Sequence, residues 1–114
     1  MPNSYALLMY ADPDHTRAMT DDDLAVVARK HAALRDELGA SDELRGGAGL
    51  LLPDETVVVR PGATHQGPLM DATEHLTAYY EVECATPERA QEIAAHLLDD
   101  HVTAVEVRGI HDTA

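Results

Sequence analysis

Aromatic residues are scarce in this chain, which contains no Phe, no Trp and four Tyr among 114 residues. Its hydrophobic core must therefore rest mainly on Leu, Val, Ala, Met and Ile. Apolar residues nevertheless make up 45% of the sequence, a share typical of a globular protein rather than a disordered one. The length suits a single domain, which we predict to span residues 1–114.

Basic residues are also few, with eight Lys and Arg against 21 Asp and Glu, for a formal net charge of −13. A field of this sign repels phosphate backbones and anionic lipid, so we predict neither a nucleic-acid partner nor a membrane partner. The acidic surplus does not indicate a cationic ligand, because it is more often an adaptation for solubility.

Cysteine occurs once, at Cys84, which excludes an intramolecular disulfide bond and favours a reducing compartment. Long apolar runs are missing as well. The run "YALLMY" near the start has no basic residue before it and is too short for a signal peptide or a membrane span. We therefore predict a soluble, cytoplasmic protein.

Motifs for metals, phosphates and activated serines are absent. The seven His show no His-x-His or His-x-x-x-His spacing, and no second Cys could complete a zinc motif. The glycines of "RGGAG" precede neither Lys-Ser/Thr nor a predicted helix, and no Gly-x-Ser-x-Gly occurs. We predict no metal and no cofactor, and we interpret these glycines as a bulge or a place where another backbone comes close.

The first half of the chain predicts a strand, a helix and a hairpin. "NSYALLMY" is apolar in both phases of a strand, which indicates that both faces of its sheet are covered. A helix should begin after Thr20, with Asp23 completing a capping box, and end near Gly39. Its apolar stripe comprises Leu24, Val27, His31, Leu34 and Leu38. "ELRGGAGLLL" and "TVVVR" resemble the two arms of a hairpin that ends at Pro61-Gly62.

The second half predicts a strand, a helix and a last strand. Residues 77–84 alternate, which directs Tyr79 and Tyr80 to opposite faces. A helix follows Thr86-Pro87, and "TAVEVRGI" is the final strand. We predict an α+β fold in which two helices cover one face of a mostly antiparallel sheet. A second subunit is the expected cover for the other face.

The segment "GPLMDATEHLTAYYEVECATPERAQEIA" resembles the one that names the DGPF proteins of the YCII-related family. "YALLMY", "GGAGLLL" and "VEVRGI" match the family in the same order along the chain. The chain departs from the family signature at Gln66, Leu69, Asp71 and Thr73, where the family has Asp, Phe, Glu and Lys. The resemblance implies a ferredoxin-like dimeric α+β barrel, that is, a homodimer whose sheets face each other.

The resemblance also implies a candidate reaction centre. Some relatives act on chlorinated aromatic ring-cleavage compounds or quinols, and the narrower family is thought to use a His of the first helix with an Asp after the second. Here these are His31 and either Asp99 or Asp100, of which we select Asp100. The chemistry implied is cofactor-independent acid–base catalysis of the lyase or dehydrochlorinase type, on a small aromatic or carbonyl-bearing molecule bound between sheet and helices.

Four further residues are candidates for contact with a ligand: Tyr10, Asp71, His75 and Tyr79. Plainer interpretations remain open for all of these residues. His31 on an apolar stripe is also what a core histidine with one hydrogen bond looks like. Gln66 to Glu74 should form a loop that crosses the open end of the sheet, and this segment also fits a solvated loop without a role in binding. The alternative to an enzyme is a non-catalytic dimer that binds a ligand or a regulatory partner.

Overall fold

The computed structural model describes residues 3–112 and contains an α+β fold. The predicted domain limits at residues 1 and 114 lie outside the described residues. In chain order the elements are β1 (Ser4–Ala11), α1 (Pro13–Ala18), α2 (Asp21–Ala40), β2 (Leu44–Gly49), a 3₁₀ turn (Pro53–Glu55), β3 (Val57–Arg60), β4 (Ala63–Gln66), β5 (His75–Glu83), α3 (Pro87–Leu97) and β6 (Ala104–Gly109).

Four of the strands form an antiparallel sheet in the order β2-β5-β1-β6. Helix α2 connects β1 to β2 and helix α3 connects β5 to β6, an arrangement compatible with a ferredoxin-like fold. The predicted α+β class with an antiparallel sheet is therefore confirmed.

The sheet has an inner face, which carries Tyr5, Leu7 and Tyr80, and an outer face, which carries Leu8 and Tyr79. Residues of β1 alternate between buried and half-buried because successive side chains point to opposite faces. Both long helices cover the inner face, since their apolar residues belong to the same core cluster. That cluster contains Tyr5, Leu7, Met9, Leu34, Leu38, Tyr80, Val82, Cys84, Ala90, Ile93, Ala94, Leu97 and Val102.

Helix α2 begins as predicted. Thr20 accepts a hydrogen bond from the Asp23 amide, and the Asp23 carboxylate accepts one from the Thr20 amide, so the capping box is complete. Its apolar stripe, however, is buried only in the C-terminal half, at Leu34 and Leu38, whereas Leu24 is 49% exposed. The middle of the helix borders a cleft, and this cleft separates it from the sheet.

The hairpin predicted between "ELRGGAGLLL" and "TVVVR" is wrong. Strand β2 pairs with β5, and β3 pairs instead with β4 across Pro61-Gly62, where Gly62 has a φ of 74°. Pro followed by a glycine with positive φ is itself a strong turn signal. Pro61-Gly62 therefore makes the turn of a hairpin rather than ending one.

A short helix, α1, was also missed. Asp12 accepts a hydrogen bond from the Asp14 amide and caps the helix, and Pro13 occupies its first turn. Both are ordinary signals for a helix start. The sequence predicts no helix here from periodicity, because six residues are too few for an apolar stripe to show.

An ion pair joins helix α3 to the connection between α2 and β2. Glu43 accepts hydrogen bonds from Arg89 Nε at 2.9 Å and Arg89 Nη2 at 2.8 Å, and another from the Ser41 hydroxyl at 2.7 Å. The bonds from Arg89 lower the pKa of the Glu43 carboxyl from 4.5 to about 2. Only 14% of the Glu43 side chain is exposed, so the pair is shielded from water.

We expect Glu43→Gln to lower the free energy of unfolding by about 1–2 kcal/mol at pH 7. A carboxyl with a lowered folded-state pKa stabilises the fold above pH 4.5 and loses that contribution as the pH falls towards about 2. The difference between wild type and variant should therefore shrink over this range. Urea unfolding at a series of pH values measures it. Glu37→Gln, at an exposed acid without an ion pair, is the control; a difference that stays constant with pH would contradict the prediction.

Candidate functional site

A cleft of about 680 Å³ lies between helix α2 and the inner face of the sheet. Helix α2 forms one wall, β2 and β5 form the floor, and the turn after α3 closes one side. The lining residues are Met9, Val27, Ala28, His31, Arg35, Leu44, Gly46, Gly47, Ala48, Gly49, Leu50, Thr77, Ala78, Tyr79, Tyr80, His101 and Val102. This volume and mostly apolar lining are typical of sites for small molecules.

The floor of the cleft leaves space for a ligand because the residues of β2 that line it include glycines, which have no side chains. A Cβ atom at Gly47 would lie 2.7 Å from the Tyr79 carbonyl oxygen and 2.7 Å from Cδ1 of Tyr80, so only glycine fits there. A Cβ at Gly49, two residues on, would meet nothing within 4 Å. Gly47 therefore marks a close approach to β5, and the pairing of β2 with β5 shifts register between Leu44 and Gly46, so both features expected of these glycines occur. The missing side chains at Gly47 and Gly49 also leave the cleft unfilled.

His31 projects from α2 into this cleft. Its Nδ1 lies 2.8 Å from the hydroxyl of Tyr80, a residue on the inner face. Burial lowers the pKa of the His31 imidazole, and the positive charges of Lys30 and Arg35 lower it further. His31 is therefore neutral near pH 7. Its other ring nitrogen, Nε2, can accept or donate a proton. Which of the two it does depends on the tautomer, which is set by the hydrogen bond between Nδ1 and the Tyr80 hydroxyl.

The charges around the cleft differ from those of the rest of the chain. Not one of the 21 acidic residues is among those that line it, whereas Arg35, His31 and His101 are. His101 stacks on His15 with 5.8 Å between ring centres, and its buried Nδ1 has no hydrogen-bond partner among residues 3–112. Burial also lowers the pKa of His101.

The carboxylates proposed as partners of His31 either bind other groups or are exposed. Both oxygens of Asp99 are occupied: one accepts a hydrogen bond from Lys30 Nζ at 2.8 Å, and the other accepts from the amides of His101 and Val102. Asp100 is exposed and forms no hydrogen bond or ion pair within residues 3–112. The hydrogen-bond partner of His31 is instead Tyr80.

The predicted ligand-contact residues are divided between the two sides of the sheet. Tyr10 points to the outer face, where its hydroxyl donates to Glu106 at 3.0 Å, and this bond raises the pKa of Tyr10. Tyr79 borders the cleft through its strand, but alternation directs its side chain outward, where 36% of the residue is exposed. The two tyrosine side chains thus lie across the sheet from His31.

The loop after β4 is also separate from the cleft. The predicted loop, Gln66 to Glu74, is confirmed for residues 67–74, which contain no helix or strand, whereas Gln66 is the last residue of β4. None of residues 67–74 lines the cleft. Asp71 is exposed in this loop, and half-buried His75 starts β5 opposite Ala11. Glu74 accepts a hydrogen bond from the Thr103 hydroxyl, which ties the loop to the start of β6.

Two important residues, Tyr80 and Arg35, were not among the predicted site residues. Alternation placed Tyr80 on the inner face correctly, and Arg35 follows His31 by one helical turn, so the sequence contained both signals. What it could not supply was the contact between α2 and β5, because 49 residues separate His31 from Tyr80.

The fold and this cleft together define an α+β protein with an open cavity of ligand size. No known family model and no curated protein matches the chain. Within residues 3–112, no group of three or more His, Cys, Asp or Glu side chains is placed to hold a metal ion. The helices of this same region include none with the length and hydropathy needed to cross a bilayer.

Proposed function

We propose that this protein binds a small, largely apolar molecule with an aromatic or carbonyl group in the cleft between α2 and the sheet. The observation that carries the proposal is the placement of His31 and the Tyr80 hydroxyl, 2.8 Å apart, within a cleft of about 680 Å³. A few polar groups converging in an apolar cavity are the usual arrangement for fixing a ligand's orientation.

His31 is the candidate acid–base group of this site. Because burial lowers its pKa, the imidazole is unprotonated near pH 7 and can take a proton from a bound molecule. Tyr80 orients the ring in the way that a carboxylate often does for a catalytic histidine. The geometry gives the predicted His31–Asp100 pair no support, so the proposed pair is His31 and Tyr80. The alternative is a non-catalytic binding protein in which the same hydrogen bond only fixes the core.

A His31→Gln variant tests this assignment, because glutamine keeps a donor and an acceptor. We expect its free energy of unfolding to fall by no more than about 1 kcal/mol. Affinity for acetophenone, a small aromatic ketone used as a probe, should fall by about tenfold in calorimetric titration. His96→Gln, on an exposed His outside the cleft, is the control. Unchanged probe affinity with a large loss of stability would make His31 a core residue.

We also propose that the chain belongs to the YCII-related family and forms the homodimer that this resemblance implies. The β-α-β-β-α-β order of the main sheet supports the family assignment. Leu8 and Tyr79 on the outer face, together with exposed Leu76, support a contact between two sheets.

The dimer should appear in sedimentation equilibrium at micromolar concentration as a mass of two chains. Tyr79→Asp places a charge on the outer face, to which the Tyr79 side chain points although its backbone borders the cleft, so it should shift the mass towards one chain. Glu88→Asp, on an exposed residue of α3, is a control that should leave the mass unchanged. A wild-type protein that sediments as one chain at every concentration would contradict this part of the proposal.

A further inference from the structure

Most of the basic residues of this chain are paired with acids, and Arg35 is one of three that are not paired within residues 3–112. Ion pairs with Asp or Glu engage five of the eight basic side chains: Arg17, Lys30, Arg45, Arg89 and Arg108. Within residues 3–112, no ion pair or hydrogen bond engages the side chains of the remaining three, which are Arg29, Arg35 and Arg60. Of these three, only Arg35 lines the cleft.

Arg35 lies at the edge of a cleft whose lining includes basic side chains but no acidic ones. The chain carries 21 acidic residues, yet the cleft is lined by none of them. A chain with a net charge of −13 offers acids near most surface positions, so a guanidinium without one at the edge of an apolar cavity is available to an external anion. Arg35 follows His31 by four residues, which places both side chains on the same face of α2.

On these grounds, and resting on the proposed binding function, we infer that the ligand is a small monocarboxylate with an apolar body. Arg35 would receive the carboxylate, and the glycine floor of β2 would receive the apolar part. A guanidinium matches the two oxygens of a carboxylate with two parallel N–H donors.

A phosphate fits this cleft less well. Phosphate sites combine a basic residue with several free backbone amides at a loop or a helix N-terminus. In the cleft, the backbone of Gly47 and Gly49 is part of the ladder with β5, and the first turn of α2 is not among the lining residues. The cleft, with one guanidinium from Arg35 and an apolar floor, is therefore better suited to a ligand with a single negative charge.

The test compares two carboxylates with their uncharged amides, benzoate with benzamide and phenylacetate with phenylacetamide. Each amide keeps the size and shape of its carboxylate and removes the charge. Calorimetric titration of the wild-type protein should give at least about tenfold tighter binding for each carboxylate. Arg35→Gln should remove this preference while leaving the amide affinities unchanged. Arg35→Lys, which keeps the charge but loses the paired donors, should retain part of it.

Arg29→Gln is the matched control, since Arg29 lies on the same helix, forms no ion pair and does not line the cleft. It changes the net charge of the protein equally and should keep the preference for carboxylates. If the amides bind as tightly as the carboxylates, or Arg35→Gln keeps the preference, the inference is wrong although the binding function stands. If none of the four probes binds, the proposed function fails together with the inference.

Discussion

Replacing Gly47 by alanine is expected to lower the free energy of unfolding by about 1–3 kcal/mol, because the added methyl group has no room. The new Cβ would lie 2.7 Å from both the Tyr79 carbonyl oxygen and the Tyr80 ring. One of these is backbone within a paired strand, so β2 or the ring must move. Since Tyr80 holds His31, the 2.8 Å hydrogen bond between them should be disturbed as well.

Urea unfolding of Gly47→Ala and Gly49→Ala measures this effect with an internal control. Gly49 belongs to the same strand, and a Cβ there meets nothing within 4 Å, so Gly49→Ala should change the free energy of unfolding by no more than about 0.5 kcal/mol. If Gly47→Ala lowers the free energy of unfolding as little as Gly49→Ala does, the strand tolerates a methyl group at Gly47 and the close approach to β5 is not tight.

Replacing Gly49 by phenylalanine is expected to weaken probe binding at least about tenfold while leaving the fold intact. Gly49 shares the cleft side of β2 with Gly47, because residues two apart in a strand point the same way. The space next to it is open, so the ring should enter the cleft and occupy volume that a ligand needs.

Calorimetric titration with acetophenone measures the loss, and Gly39→Phe is the matched control. Gly39 is an exposed residue near the end of α2, also with nothing within 4 Å of an added Cβ, and it does not line the cleft. This control should bind the probe as the wild type does. Undiminished binding by Gly49→Phe would place the binding site elsewhere on the molecule.

Local signals predicted much of the fold. Alternation in β5 directed Tyr79 and Tyr80 to opposite faces, and the capping box located the start of α2, because each signal depends on residues only one to three positions apart. The partner of β2 could not be predicted in this way. A glycine-rich strand has no side-chain pattern to fix its neighbour, so proximity along the chain suggested β3, whereas the structure pairs it with β5.

The candidate site was predicted only in part, for a related reason. The spacing of His31 with Leu34 and Leu38 placed it towards the sheet, and the structure agrees. Periodicity cannot show where a helix stands away from a sheet, and it is this separation, beside Val27, Ala28 and His31, that opens the cleft. Asp99 and Asp100 are adjacent in sequence, yet Asp99 is committed to Lys30 and Asp100 points to water.

The central claim is that a small molecule binds beside His31 in the cleft under α2. Its most direct test follows the imidazole ¹⁵N resonances of the histidines during titration of the wild-type protein with acetophenone and then with benzoate. The account predicts saturable shifts of the His31 nitrogens, while those of exposed His65, His96 and His111 stay unchanged. His31 resonances that do not move at saturating concentrations of either probe would contradict it.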